Sequence, residues 1–183
     1  DVCSSDLDLR ELENFQNFQE ESFELYSQKM PTEEQQQFTD FFSSLNRMPL
    51  TKKNDVEIFT DGTEKFNALM ADIKKAQHSI HIEYYAFVTD HIGTKILNLL
   101  EEKAAEGVEV RLLYDAFGSK GTKVHHLNEL KKNGGFVQTF ITSQKALLKF
   151  RLNYHDHRKI VVIDGKVGYI GGFNVADQYA GTD

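Results

Sequence analysis

The chain is poor in the residue types that mark specialised classes of protein. It has no tryptophan, two prolines and a single cysteine among 183 residues. The lone cysteine, Cys3, excludes an internal disulfide, so the chain is not a disulfide-stabilised scaffold. No apolar run reaches the roughly 18 residues that predict a transmembrane helix, and neither an initiator methionine nor a signal peptide is seen. Residues 1–7 follow no structural pattern, are compatible with a non-native origin, and carry no fold prediction.

Negative charge is concentrated at the beginning of the chain. The net charge is −7, and residues 1–50 hold eleven acidic against three basic side chains, a net of −8. Residues 51–183 hold the remaining 17 acidic and 18 basic side chains, a net of +1. This near-neutral part lacks the basic excess that a large nucleic-acid surface normally shows. We therefore expect no nucleic-acid partner, whereas a phosphate-bearing substrate remains compatible with the charge.

Residues 1–50 predict a helical, acidic N-terminal arm or linker. Apolar residues recur at i, i+3, i+4 and i+7 over positions 38–45, which is one face of an amphipathic helix. Thr32 followed by Gln35 is a capping box that marks where this helix begins, and Pro31 ends any helix before it. Two amphipathic helices are expected, and a packing arm is favoured over a dedicated partner-binding module.

From Val56 onward, strand-like and helix-like patterns alternate, which predicts an α/β domain over residues 51–183. Strands are expected at 56–60, 79–88, 108–114, 136–141, 160–163 and 167–170. Helices are expected around 66–73, 92–100 and 124–130. The last two strands flank Asp164-Gly165-Lys166, a hairpin-type turn that adds an antiparallel pair. The predicted fold class is a mixed β-sheet flanked by helices.

One motif carries the chemistry: His157-x-Lys159-x4-Asp164-x6-Gly171-Gly172-x-Asn174. His157 and Lys159 are two residues apart, so on a strand their side chains project from the same face. A neutral imidazole can attack phosphorus and form a covalent phospho-histidine. The Lys159 ammonium can offset the charge that builds on the non-bridging oxygens. The pair predicts a nucleophile and a phosphate clamp.

The end of the motif predicts a phosphate-binding loop. Gly171 and Gly172 have no Cβ, so their backbone amides can approach a phosphate closely. Asn174 offers a side-chain amide donor to the same oxygens. If a helix begins at Phe173, its N-terminus adds a favourable dipole.

Asp164 belongs to the catalytic motif, but its spacing argues for a structural part. It lies seven residues from His157, up to roughly 23 Å along an extended strand, and has the opposite parity. A direct Asp–His bond within this strand is therefore not expected. We expect Asp164 to anchor the turn or a charge network, and the acid that orients His157 to come from elsewhere.

Other residues are candidates for the substrate pocket. Glu83, Tyr84 and Tyr85 lie in an expected strand, where they either line the site or pack in the core. Asp115 ends another strand, just before the glycine-rich loop 117–121, and loops in such positions often carry function. This loop lacks the spacing of a P-loop, so nucleotide binding is not predicted.

No metal and no other cofactor is predicted. His155 and His157 have the spacing of a metal-ligand pair on one strand face. However, no cysteine or third ligand stands near them in the sequence.

On these residues, the chain resembles the phospholipase D superfamily and, more narrowly, the bacterial cardiolipin synthases. The broad resemblance rests on the motif from His157 to Asn174. The narrow one adds Pro49-Leu50-Thr51, Asn54-Asp55-Val56, Thr60-Asp61-Gly62, His81-Ile82-Glu83-Tyr84-Tyr85, Val108-Glu109-Val110-Arg111, Leu113-Tyr114-Asp115, Gly118-Ser119 and Asn153-Tyr154.

The resemblance implies a reaction that joins two phosphatidylglycerol molecules and releases glycerol. His157 would take the phosphatidyl group, and a lipid hydroxyl would then displace it. Family members carry two such motifs around one active site, and the second histidine acts as general acid. They also begin with membrane-spanning helices, which implies a location at the bacterial cell membrane with an anchor outside this sequence.

This sequence departs from the family pattern because it has one motif, no membrane helix, and ends nine residues after Asn174. It is interpreted as a first catalytic half, truncated at its C-terminus and inactive alone, with the missing second half as a partner. Alternatives remain open: a single-motif phosphodiesterase or nuclease active as a homodimer, or a phospholipase D-like hydrolase. A further alternative is an inactive domain kept for lipid or protein binding.

Overall fold

The structure is a computed structural model that describes residues 17, 32–46, 54–140 and 155–181. It contains two compact units, Asp1–Glu57 and Ile58–Asp183. The second unit holds the sheet and every residue of the predicted catalytic motif.

The first unit contains one described helix, α1, over Glu33–Asn46. The amide of Gln35 donates to the Thr32 hydroxyl at 3.2 Å, so the predicted cap is present. Within the predicted apolar face, the Phe38 and Phe42 rings lie 4.6 Å apart, as expected one helical turn from each other. The helix predicted before Pro31 lies outside the described residues, apart from position 17, which is helical.

The second unit is built on a five-stranded mixed sheet, which confirms the predicted fold class. The strands are β1 Ser79–Tyr84, β2 Glu109–Asp115, β3 Phe136–Phe140, β4 Lys159–Ile163 and β5 Val167–Ile170. Their order across the sheet is β3-β2-β1-β4-β5. The first three strands run parallel, and β4 and β5 form the predicted antiparallel hairpin. Strand β1 is therefore central, with a parallel neighbour on one side and an antiparallel neighbour on the other.

Three helices connect and cover these strands: α2 Gly62–Lys75, α3 His91–Ala105 and α4 Val124–Lys132. The first two begin at aspartates whose side chains accept the first free amides: Asp61 from Glu64 at 3.0 Å, and Asp90 from Gly93 at 3.1 Å. Gly107, which follows α3, has φ +91°, a conformation that favours glycine at a helix end.

Burial alternates along the strands and assigns the helices to one sheet face. Ile80, Ile82 and Tyr84 of β1 are buried together with Leu69 and Leu100 of the helices. The opposite face carries polar side chains, such as His81, which contacts Glu109 at 2.8 Å. Within the described residues, the core therefore lies on the helix-covered side of the sheet.

Two strand predictions differ from the structure. Residues 56–60 alternate like a strand, but none of them belongs to one; Ile58 is 83% exposed. Alternation forms a strand only where a sheet edge accepts its hydrogen bonds. The strand predicted over 79–88 ends at Tyr84, after which Phe87 forms an isolated parallel bridge with Val175. This break in β1 is where the candidate site forms.

A buried lysine lies under the central strand. Lys65 of α2 is 8% exposed, and its ammonium donates to the Tyr84 hydroxyl at 2.7 Å. The same nitrogen lies 4.0 Å from the centroid of the Phe66 ring. No carboxylate in the described part of the chain pairs with it, and burial lowers the pKa of Lys65 to about 7.

Replacement of Lys65 by methionine should change how stability depends on pH. Between pH 7 and pH 10.5 the unfolded chain binds a proton at Lys65 that the folded chain does not, so wild-type stability rises with pH in this window. Relative to Lys65→Met, the wild-type free energy of unfolding should therefore gain about 2 kcal/mol between pH 6.5 and pH 9. Urea unfolding at both pH values measures it. Lys75→Met, on the same helix with a 75% exposed side chain, is the control and should show no such change. An unchanged difference for Lys65→Met would contradict the prediction.

Candidate active site

Strand register brings the predicted site residues to one edge of the sheet. Tyr84 is paired with Lys159 on its antiparallel side and with Tyr114 on its parallel side. The C-terminal ends of β1 and β2 and the start of β4 therefore coincide. The amide of Tyr85 continues the pairing by donating to the Arg158 carbonyl at 3.0 Å.

His157 and Lys159 meet on the ring of Tyr85. The imidazole of His157 stacks on this ring with centroids 4.0 Å apart and an interplanar angle of 13°. The Lys159 ammonium lies 5.3 Å from the centroid of the same ring and donates to the His157 carbonyl at 2.6 Å. His157 is exposed and Lys159 is half-buried. The edge thus presents an accessible imidazole beside a cation, the pairing that nucleophilic attack on a phosphate ester needs.

Asp115, a predicted pocket residue, ties two loops together at this edge. Its side chain is 2% exposed and accepts from the amides of Phe117 at 2.8 Å and Gly118 at 3.0 Å. The other carboxylate oxygen accepts from the amide of Asp156 at 3.1 Å and lies 3.4 Å from Nδ1 of His155. Asp115 therefore joins the turn at Phe117 and Gly118 to the segment just before His157, and its part in a substrate pocket stays a prediction.

Glu83 lies beside a second carboxyl group at the same edge. Arg158 contacts it through Nη1 at 3.3 Å, and the 7% exposed Asp156 is adjacent. Burial raises the pKa of Glu83, the Asp156 carboxyl adds to this rise, and the Arg158 guanidinium opposes it. Glu83 therefore belongs to a cluster of charged side chains with Asp156 and Arg158, the two residues that flank His157 in the sequence. No contact between the Glu83 and His157 side chains is seen.

The glycine pair lies at the end of β5 in open surroundings. Gly171 and Gly172 are exposed, and a Cβ added at either would meet no atom within 4 Å. Packing inside the described residues therefore does not require glycine here, which leaves the backbone accessible to a ligand. From Gly172 the chain passes the start of β4 and reaches Val175, which bridges to Phe87.

Asn174, the predicted amide donor to a phosphate, is held by two other groups of this domain, and its contact with a phosphate stays a prediction. Its side chain is buried: Oδ1 accepts from the amide of Ala86 at 3.2 Å, and Nδ2 donates to the Tyr179 hydroxyl at 3.1 Å. These bonds fasten the glycine loop to the extension of β1. In the described structure, Asn174 thus shapes the site from behind.

The helix considered from Phe173 onward is not formed. The chain instead makes the bridge at Val175 and a three-residue 3₁₀-helix, Asp177–Tyr179. Asp177 accepts from the amides of His91 at 3.1 Å and Ile92 at 2.8 Å, so this segment caps α3. Since these bonds hold the chain in another path, no helix begins at Phe173.

Asp164, counted with the catalytic motif, lies at the far end of β4 from the site. Five residues separate it from Lys159, roughly 17 Å at about 3.3 Å per residue. Its carboxylate accepts from the amides of Gln77 at 2.9 Å, His78 at 2.7 Å and Ser79 at 2.8 Å. These bonds lower the pKa of Asp164 to about 2. This geometry agrees with the expectation that Asp164 anchors the turn and makes no direct bond to His157.

The turn around Asp164 explains why an aspartate-glycine pair occurs here. Asp164 has φ +52° and Gly165 has φ +64°, and the amide of Lys166 donates to the Ile163 carbonyl at 2.9 Å. Positive φ at both central residues is the type I′ hairpin turn, which aspartate and glycine tolerate best. One residue thus closes the hairpin and holds the start of β1.

We expect Asp164→Asn to destabilise the chain through the lost carboxylate alone. Asparagine tolerates the same positive φ, but it offers one acceptor oxygen to three amide donors. The folded pKa lies below the ordinary value of 3.8, so the carboxylate stabilises the fold above about pH 4 and this contribution disappears as pH falls toward 2. Thermal unfolding should show Tm lowered by several degrees at pH 6 and a smaller gap at pH 3. Asp55→Asn, an exposed aspartate, is the control, and equal gaps at both pH values would contradict this account.

Sequence reasoning missed the residues that hold Tyr85. A Cβ on Gly118 would lie 2.3 Å from the Tyr85 carbonyl oxygen and 2.9 Å from two of its ring carbons. The Ser119 hydroxyl donates to the same carbonyl at 3.2 Å and accepts from the amide of Phe87 at 3.0 Å. The signal in the sequence was Gly118, three residues after the strand-ending Asp115, which indicates a close backbone approach but does not identify the partner.

Two further searches cover the described residues alone. No three His, Cys, Asp or Glu side chains within them are arranged to hold a metal ion. Nor is any of their helices both long and apolar enough to cross a bilayer.

The five-stranded mixed sheet, with His157 and Lys159 at the C-terminal end of its central strand, defines a phospholipase D-like fold. Two solved structures share it: NucT from Helicobacter pylori, with TM-score 0.50, 21% identity and coverage of 65% of this chain and 72% of that one; and Nuc from Salmonella typhimurium, a phospholipase D family member, with TM-score 0.50, 20% identity and coverage of 64% and 68%. At this identity the similarity concerns the fold.

The family follows from the sequence comparison. The family described as "Cardiolipin synthase, PLD-like domain" matches residues 69–182, and the chain belongs to it. A cardiolipin synthase of Listeria monocytogenes (serotype 4b, strain CLIP80459) is 53% identical over 133 residues, which are 73% of this chain and 28% of the relative. Cardiolipin synthase 1 of Staphylococcus aureus (strain COL) is 48% identical over 132 residues, 72% and 27% of the two chains. The predicted resemblance is confirmed, and the chain spans about 28% of the length of the Listeria relative.

Proposed function

We propose that this chain provides one catalytic half of a phosphatidyl transferase of the cardiolipin synthase type. The observation that carries the proposal is the meeting of the His157 imidazole and the Lys159 ammonium on the Tyr85 ring. The 53% identity to a cardiolipin synthase over 133 residues supports the lipid substrate. The substrate is then phosphatidylglycerol, and the location is the bacterial cell membrane.

The proposed reaction has two displacements at phosphorus. A ring nitrogen of His157 attacks the phosphodiester of phosphatidylglycerol, the bond from phosphorus to the glycerol oxygen breaks, and glycerol leaves with a proton from a general acid. The hydroxyl of a second phosphatidylglycerol then attacks the phosphorus of the phosphatidyl-histidine and gives its proton to the group that acted as general acid. The bond from phosphorus to nitrogen breaks, which forms cardiolipin and frees His157. Lys159 offsets the negative charge on the non-bridging oxygens in both steps.

The general acid is proposed to come from a second half of the same type. Members of the family carry two motifs around one site, and the described edge offers His157 open to solvent rather than enclosed. A matching half placed against this edge would add the second histidine, exclude water and so favour transfer to a lipid hydroxyl over hydrolysis.

His157→Ala in the full-length protein should abolish cardiolipin formation because the covalent intermediate can no longer form. We expect a loss of at least about 10³-fold in the appearance of both cardiolipin and glycerol from phosphatidylglycerol vesicles. His125→Ala, an exposed histidine of α4, is the matched control and should retain activity. If His157→Ala still produces both products together, the assignment is wrong.

The proposed intermediate and the half-site can be checked separately. Full-length protein quenched during turnover should carry a phosphatidyl group on His157, seen by mass spectrometry as an acid-labile, base-stable adduct. The 183-residue chain alone should show no turnover of phosphatidylglycerol. Sustained turnover by the purified monomeric chain would contradict the need for a second half while leaving the nucleophile in place.

A further inference from the structure

Among the aromatic rings of the described residues, Tyr85 lies closest to the imidazole of His157. The stack at 4.0 Å and 13° covers one face of the His157 imidazole. His157 lies just before β4, in a segment without regular secondary structure, so its backbone alone leaves the ring free to rotate. A flat ring against one face removes much of this freedom, while the ring nitrogens at the edge remain open.

Tyr85 itself is held from three directions. Its amide donates to the Arg158 carbonyl at 3.0 Å, which ties it to the segment that carries His157. Its carbonyl accepts from the Ser119 hydroxyl at 3.2 Å. Gly118 packs directly against its ring and carbonyl, so closely that a Cβ would overlap both.

The turn that holds Tyr85 is in turn fixed by a buried carboxylate. Asp115 accepts from the amides of Phe117 and Gly118, and its second oxygen accepts from the amide of Asp156, immediately before His157. The Asp115 side chain thus holds both the turn that contacts Tyr85 and the segment that contains His157. The two stacked rings are positioned relative to each other through these buried and part-buried bonds.

We infer that Tyr85 is the positioning residue for His157, and that the Asp115–Ser119 turn exists to hold Tyr85 in its stack. The inference rests on the proposed function, in which His157 attacks phosphorus. Tyr85 keeps the imidazole edge aimed at the phosphate, and the aromatic face stabilises the positive charge that the imidazole acquires when it is protonated or carries the phosphatidyl group. The phenol hydroxyl is not needed for either effect.

The test compares Tyr85→Leu and Tyr85→Phe in the full-length protein with phosphatidylglycerol vesicles. Leucine fills space but offers no flat face to hold the orientation of the imidazole, so kcat should fall about 100-fold. KM should change less than about threefold, because substrate binding is not affected. Phenylalanine restores the face and should return kcat to within about threefold of wild type. Phe136→Leu, which removes a 66% exposed ring at the start of β3 that contacts Arg111 and not His157, is the matched control and should leave kcat unchanged.

A double-mutant cycle tests the turn. Gly118→Ala should displace the Tyr85 carbonyl and ring and so lower kcat on its own. In the Tyr85→Leu background the carbonyl is displaced in the same way, but the residue no longer carries the stacking ring, so the further loss of kcat should be small. Thermal unfolding of each variant confirms that it is folded before its rate is interpreted. Additive losses would show that Gly118 acts on something other than Tyr85.

The outcomes separate this inference from the proposed function. If His157→Ala is inactive but Tyr85→Leu keeps wild-type kcat, the function stands and the positioning part of Tyr85 is refuted. If Tyr85→Phe is as impaired as Tyr85→Leu, the hydroxyl matters and the stacking account is wrong. If His157→Ala is active, the proposed function itself fails, whatever Tyr85 does.

Discussion

The register between β1 and β4 is the constraint on which the rest of this domain depends. The two strands pair from Ile80 with Ile163 to Tyr84 with Lys159. Because side chains alternate along a strand, a slip of one residue would turn Lys159 and the buried Val161 to the opposite face. Asp164 fixes this register at one end through its three backbone acceptor bonds. The position of Lys159 beside Tyr84 at the other end of the two strands depends on the same register.

The site forms where regular pairing stops. After Tyr84, β1 leaves the sheet, and the freed backbone of Tyr85 and Ala86 binds Arg158 and Asn174 instead of a neighbouring strand. A strand end of this kind offers groups that are fixed by the sheet but no longer covered by it. His157 is exposed for this reason, although its neighbours Asp156 and Lys159 are partly or fully buried.

Much of the domain could be predicted from residue patterns. The β4–β5 hairpin followed from the aspartate-glycine pair between two apolar runs, and α2, α3 and α4 from their apolar spacing, because both signals are local. The strand expected at 56–60 failed because its alternation needs a sheet edge that the sequence pattern does not reveal. The sequence does not show whether the Asn174 side chain binds a phosphate or a partner within the domain. The bond from the amide of Ala86, which lies far away in the chain, is seen only in the tertiary structure.

By itself, the sequence determined the family, the motif, and the presence of an imidazole and an ammonium on one face, since these depend on residue identity and on a spacing of two. The tertiary structure alone decided what surrounds them. It placed Tyr85 against His157, Asp115 beneath the loop, and Asp164 at the opposite end of the sheet. The contacts of Tyr85 with His157, of Asp115 with Asp156 and of Asp164 with His78 join residues about 40 to 90 positions apart in the chain. They arise from sheet register and close packing, which no local pattern encodes.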